Sequence, residues 1–283
     1  MRRKQILLSV TLLIVTIGTL LVLASGRLSG RTRVPSPTAG PTGIQYIRCS
    51  RLRTGLCDAL KVLGSRLQVP GKERLTITGS LTRTLPGGVT DVVTVRVITE
   101  FPHLMRIEEQ RLGQVRVVGF DGQQAWTNLG VVTPPDLDLV ESIAFDSADS
   151  FFVGQTQGAA TRFLGSRFRL DDGKDPNYTG PFYDIYQAVD QVNMGARSSF
   201  RPKLYYFNSD NLRIERVRYQ LQRATLPVAV QLSTPTWHTV DNQLVPNSIE
   251  RFENGSSVWK LTGATWTLSP RADDGTFTRP TLP

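Results

Sequence analysis

Cysteine and histidine are nearly absent: the 283 residues contain two of each. Zinc centres draw on three or four closely spaced cysteine, histidine or acidic ligands, and His103 and His238 each stand alone in strand-like sequence. Also missing are a Gly-x-Ser-x-Gly elbow, a Walker-type phosphate loop and a His-Glu-x-x-His pair. Asp273-Asp274 precedes Gly275 near the C-terminus and reads as a turn. Acid–base catalysis instead needs carboxylates converging across a cleft. The stretch DDGKDPN (171–177) lacks the alternating ligands and closing glutamate of an EF-hand loop and reads as a polar turn. No catalytic set, metal site or cofactor is expected.

The body also lacks an excess of either charge. The formal +9 is concentrated in residues 1–74, where 13 Lys and Arg face only Asp58 and Glu73. The remaining residues carry 20 basic against 22 acidic side chains. Nucleic-acid binding needs basic groups concentrated on a folded surface, so no nucleic-acid partner is expected. Arg48, Arg51, Arg53, Lys61 and Arg66 read either as a solvated face or as a group facing an anionic membrane.

One long apolar run is present. Ile6–Ala24 follows Arg2, Arg3 and Lys4, holds no charge, and as a helix would reach ~28 Å, about one hydrocarbon thickness. It exceeds the ~7–15-residue core of an ordinary signal peptide, yet Val22-Leu23-Ala24 offers a cleavage site before Ser25. A retained anchor and a cleaved signal both remain open, and each sends the body across a membrane. Ser25–Gly43, rich in Gly, Pro, Ser and Thr, is a linker, which leaves 44–283 as the folded domain.

Cys49 and Cys57 lie beyond that run, where a disulfide is permitted. A continuous helix over 46–63 would hold their Cα atoms ~12 Å apart, too far to bridge. Either Gly55 interrupts the helix and the bridge forms, or both remain thiols. Leu52, Leu56, Leu60 and Leu63 give that helix one apolar stripe.

From Arg74 the period changes to two. Runs at 75–82, 92–99, 104–109, 114–120 and 123–127 form an antiparallel meander broken by Gly and Pro. Asp121-Gly122 fits a two-residue type I′ hairpin, which makes Asp121 a corner and not a catalyst. Pro134-Pro135 ends the meander, two short helices follow at 137–144 and 148–153, and 155–165 is irregular. Strands return at 182–192, 202–207, 212–219, 227–233, 237–240, 246–252 and 258–268. Strands, helices, then strands imply one mainly β sheet with a helical insertion covering a face. Aromatics on such a sheet either pack a core or line a dry cavity. Phe101, Phe120, Trp126, Tyr205, Trp237, Trp259 and Trp266 are therefore candidate cavity residues.

Several stretches together resemble the bacterial LolA-like family of outer-membrane lipoprotein carriers and sorting proteins. They are FPHLMRIEEQ (101–110), GFDGQQAWT (119–127), KLYYFNSDNLRIERVRY (203–219) and VPNSIERFENGSSVWKLTGATWTLSPRADDGTF (245–277). The resemblance implies a curved, incompletely closed antiparallel half-barrel, with an N-terminal helix and short lid helices over an apolar cavity. It also implies a non-enzymatic carrier or chaperone for acylated lipoproteins or lipids, working on the periplasmic side of the inner membrane. Its partners would be an inner-membrane donor, an outer-membrane acceptor and the membrane itself through residues 6–24. Arg106 is the candidate for the family's functional arginine, from its strand setting. A membrane-anchored envelope-stress sensor or scaffold on the same fold is the alternative.

Overall fold

The computed structural model describes residues 45–280 except 172, 224 and 225. The expected anchor at 6–24 and linker at 25–43 lie outside the described residues. Among the described residues no helix is long and apolar enough to cross a membrane.

After a 3-10 turn at Cys49–Arg51 comes α1 (Thr54–Leu63), then β1 (Arg74–Thr84), β2 (Thr90–Glu100), β3 (Leu104–Arg111), β4 (Gln114–Phe120) and β5 (Ala125–Thr127). The helical insertion is α2 (Pro134–Val140), continued by a π-helical turn (Glu141–Phe145), and α3 (Ala148–Thr156). β6 (Ala160–Phe168), β7 (Tyr183–Asn193), β8 (Ser198–Asn208), β9 (Ile214–Gln222), β10 (Pro227–Val240), β11 (Gln243–Glu253) and β12 (Ser256–Ser269) complete the chain. All 12 strands join one antiparallel sheet in the order β5-β4-β3-β2-β1-β12-β11-β10-β9-β8-β7-β6. β5 and β6 end the sheet without pairing, so the barrel stays open.

The period-two pattern explains which face is covered. Leu75, Ile77 and Leu81, Val93, Val95 and Val97, and Met105 and Ile107 are buried in alternation on β1, β2 and β3. They meet the helices in one apolar core. α1 packs on β11, α2 on β4 and the π turn on β3. Phe151 of α3 wedges between Tyr205 and Phe207, with ring centroids at 4.6 and 5.2 Å.

The local expectations met several corrections. Cys49 and Cys57 form a disulfide with Cα atoms 5.0 Å apart. The break that permits it falls at Leu52–Arg53, ahead of α1, and not at Gly55. Asp121-Gly122 does not make a type I′ turn, because Gly122 alone has positive φ. Asp121 instead opens a longer loop, accepting the Gln123 and Gln124 amides at 2.8 Å each. Pro134-Pro135 starts a helix, which Thr133 and Asp136 close in a capping box. The irregular 155–165 stretch holds strand β6, and 227–233 with 237–240 form one bulged strand, β10.

Candidate functional site

The helix-covered face is almost full. Beneath the π turn and α3, a residual cavity of about 40 Å³ is lined by Leu75, Val97, Ile143, Trp237, Ile249 and Leu261. That is near one water's share of liquid volume, ~30 Å³, and leaves no room for an acyl chain.

More space lies at the open side of the sheet. β5 is linked to the β7–β8 turn by the Ala125 N–H to Met194 carbonyl bond at 3.2 Å. Beside this contact runs a groove of about 630 Å³, bounded by the C-terminal end of α3 and the turn that follows it. Phe120, Phe145, Val189 and Phe200 give it an apolar lining, and Ser150, Gln191 and Asn193 give it polar positions. His103 stacks on Phe145 at 5.2 Å, and its ring Nδ1 lies 3.2 Å from the Ala144 carbonyl. A second groove, of about 750 Å³, crosses the uncovered face of β7–β11 over Leu204, Tyr206 and Phe252.

An ionic cluster holds the helical cover to the sheet. Asp138, Glu141 and Asp146 point from α2 and the π turn toward bases on the strands and their turns. Asp138 meets Arg197 at 2.6 Å and Arg223 at 2.9 Å. Glu141 pairs with Arg201 and, at 3.3 Å, with Arg197. Asp146 takes Lys203 at 2.7 Å and the Tyr219 hydroxyl at 2.8 Å. Arg251, fully buried, donates to Ser142 at 2.9 Å and to Tyr219 at 3.2 Å. Burial pushes the Tyr219 hydroxyl far up, and the Asp146 charge adds to this. Burial works against the Arg251 cation, but Tyr219, Asp138, Asp146 and Glu253 more than offset it and raise its pKa. Arg201 moves the other way, lowered chiefly by burial.

The candidates chosen from sequence are dispersed. Phe120 lines the seam groove and Trp237 the small cavity. Tyr205 and Trp259 are packed in the core. Phe101 stacks on Tyr46 at 6.2 Å, and Trp266 on His238 at 4.0 Å. Arg106 and Trp126 lie on the uncovered face. Arg106 donates to the Thr276 carbonyl at 3.0 Å, and its guanidinium sits 5.9 Å from the Trp126 ring centre. Sequence reasoning missed the ionic cluster, whose signal was present. In FRPKLYYF (200–207), Arg201 and Lys203 share the parity of Tyr205 and Phe207, which places two cations on an apolar face.

No protein-family model and no curated protein matches the sequence. A LolA superfamily protein from Nitrosomonas europaea superposes with a TM-score of 0.52 at 12% identity, over 78% of this chain and 97% of its own. A DUF1329 family protein from Desulfovibrio piger gives 0.47 at 12% identity, over 79% and 95%. A putative outer membrane lipoprotein-sorting protein domain from Vibrio parahaemolyticus gives 0.44 at 8% identity, over 72% and 89%. The last two superpositions are too loose to build on. The first identifies the fold as LolA-like, and at 12% identity it speaks to the fold alone.

Proposed function

We propose that this protein is a carrier of lipids or lipid-modified proteins on the periplasmic side of a bacterial envelope, and that the seam groove receives an acyl chain. The observation that supports this most is the groove itself. Its volume of about 630 Å³ falls within the ~300–1,000 Å³ of small-molecule sites. It opens where β5 and β6 fail to pair, and Phe120 and Phe145 separate it from the core. Burying methylenes at ~0.8 kcal/mol each supplies affinity without any catalytic group. A whole chain would require the cover to lift, since the space beneath it is only about 40 Å³. An inner-membrane donor and an outer-membrane acceptor are the partners this reading calls for.

A photo-crosslinking residue in place of Phe200, which stands 75% exposed at the groove, tests the reading. Residues 44–283 form a compact unit with its own core, so the body can be purified alone. Mass spectrometry is expected to find acyl-bearing molecules crosslinked from position 200 and none from Val69. A body that stays empty after expression and takes up no fluorescent fatty acid sinks the proposal.

A further inference from the structure

The groove on the uncovered face of β7–β11 plays no part in the carrier reading and shares no lining residue with the seam groove. Its volume of about 750 Å³ also falls within the ~300–1,000 Å³ of small-molecule sites. Strand parity builds it. On β9 the core side chains are Val217, Tyr219 and Leu221, so Arg216, Arg218 and Gln220 take the other face. The register sets Arg218 between Leu204 of β8 and Gln231 of β10, with Phe252 of β11 beyond Gln231. Gln187 of β7 stands opposite Leu204, which completes one row of side chains across five strands.

The cation in this row lacks an anion. On β1–β4 every arginine pairs with a carboxylate. Arg216 and Arg218 are half-buried and, among the described residues, neither does. Both converge on one neutral acceptor: the Gln231 side-chain oxygen takes the Arg218 Nε–H at 2.8 Å and an Arg216 Nη–H at 3.4 Å. Two guanidinium groups ~7 Å apart along one strand repel, and partial burial removes water that would screen them. The acidic neighbours along the strand and across it are held elsewhere. Glu215 accepts the Tyr183 hydroxyl at 3.0 Å and the Asn208 amide at 2.9 Å, and Glu250 accepts the Ser257 hydroxyl at 2.7 Å. Arg218 also lies over the Tyr206 ring at 5.2 Å, which restrains its guanidinium. With Nε engaged, its two Nη groups remain as a fork that matches a carboxylate.

We infer that this groove binds a small aromatic carboxylate, with the carboxylate on the Arg218 fork and the ring along the row toward Phe252. Arg216 adds a second positive charge behind the fork, which favours an anion over a neutral ring. The groove lies on a sheet face and does not enclose its ligand. A rigid ring, with no rotors to freeze, therefore keeps more of its contact energy there than a flexible acyl chain does.

The test is calorimetric titration of residues 44–283 with 2-naphthoate, with a thermal melt for every variant. The comparison ligands are 2-naphthalenemethanol, inorganic phosphate and octanoate. The naphthoate is expected to bind roughly tenfold or more tightly than any of the three. R218Q keeps hydrogen-bonding capacity and removes the charge, so it should weaken naphthoate roughly tenfold or more and leave the neutral alcohol unchanged. R216Q should lose less, and R96Q, the same exchange on β2, should lose nothing. Magnetic resonance is expected to show shifts at the side-chain amides of Gln187, Gln220 and Gln231, and none at Asn193 of the seam groove. Absence of naphthoate binding at millimolar concentration overturns the inference, as does unchanged affinity in R218Q. Phosphate binding as tightly as naphthoate would make this a site for bare anions, and octanoate binding as tightly would make it a site for acyl chains; either overturns the aromatic assignment. Shifts confined to Asn193 overturn it too, by sending the ligand to the seam. A body that binds naphthoate through Arg218 but takes up no fatty acid would sink the carrier reading and leave this one standing.

Discussion

The indole N–H of Trp126 donates to the main-chain carbonyl of Phe277 at 2.9 Å, across 151 residues of sequence. The bond fastens the C-terminal tail over the uncovered face of β1–β5. Arg74 holds Asp274 at 2.7 Å and sits over the Phe277 ring at 5.3 Å, while Arg271 reaches Glu100 at 3.1 Å. Trp126 and Arg106 thus serve a strap on the face opposite the helices.

Phe277 is only 6% exposed, so its ring is part of the packing and not a loose end. Phe277→Ala should cost about 3 kcal/mol, typical of a buried aromatic truncation. Urea titration checks the value, and a red shift of Trp126 emission shows that the tail has lifted. A change under about 0.5 kcal/mol, the scale of ordinary surface substitutions, would mean that the strap contributes nothing.

The strap should also respond to acid. Hydrogen bonds from Arg74 and Thr276 hold the Asp274 carboxyl well below the usual range. Glu73 is also lowered: burial raises it, but bonds from Tyr46 and from the Gly71 and Arg271 amides outweigh that. Folded-state values below the unfolded ones mean that the stabilisation is complete above about pH 5 and fades as pH falls through the unfolded and then the folded values. Hydrogen exchange of residues 271–280 should therefore be slow at neutral pH and accelerate below about pH 5. Asp274→Asn should start faster and show less of this dependence. Protection unchanged down to pH 2 in the native chain counts against the assignment.

Much of the architecture was legible because two periods carry it. Leu75, Ile77 and Leu81 announce a half-buried strand, and Leu56, Leu60 and Leu63 a one-sided helix. Those patterns placed most strands and all three helices. What they leave open is which face meets the helices. Trp126 alternates like any inward residue, but it pairs with Gly119, which lies opposite in parity to the core residues Val118 and Phe120. β6 escaped notice because its burial barely alternates and its pairing with β7 is interrupted twice. The ionic cluster was hidden for another reason: charges inside a sheet run against the hydrophobic pattern, and only their parity gives them away.

That cluster offers a test of how the cover is held. Lys203 and Asp146 are both fully buried and lie 2.7 Å apart. Lys203→Met leaves the carboxylate with the Tyr219 hydroxyl and no cation at that distance. A loss of about 3–5 kcal/mol is expected. Asp146→Asn in the same chain removes the stranded charge and keeps an acceptor for Tyr219, so the double variant should recover more than half of the loss. Denaturant melts of the single and double variants give the coupling energy. Additive losses would show that the pair is not acting as a unit.

Gly79 is the position where the sheet has least tolerance. A Cβ there would lie 2.0 Å from the Thr262 carbonyl oxygen, a backbone atom that cannot rotate away, at the point where the β1–β12 register shifts. The requirement is for close approach, as expected of a glycine at a strand irregularity. Gly119 is crowded as well, but by the Trp126 ring at 2.3 Å, which can move if it gives up its bond to Phe277. Gly79→Ala should therefore cost more than Gly119→Ala. The first should lose at least about 3 kcal/mol or fail to accumulate as folded protein, because it parts the β1–β12 pair inside the sheet. The second should keep the sheet, shift Trp126 emission and loosen the tail. Equal costs, or a folded Gly79→Ala protein with native stability, would mean that β1 and β12 are farther apart at the bulge than described.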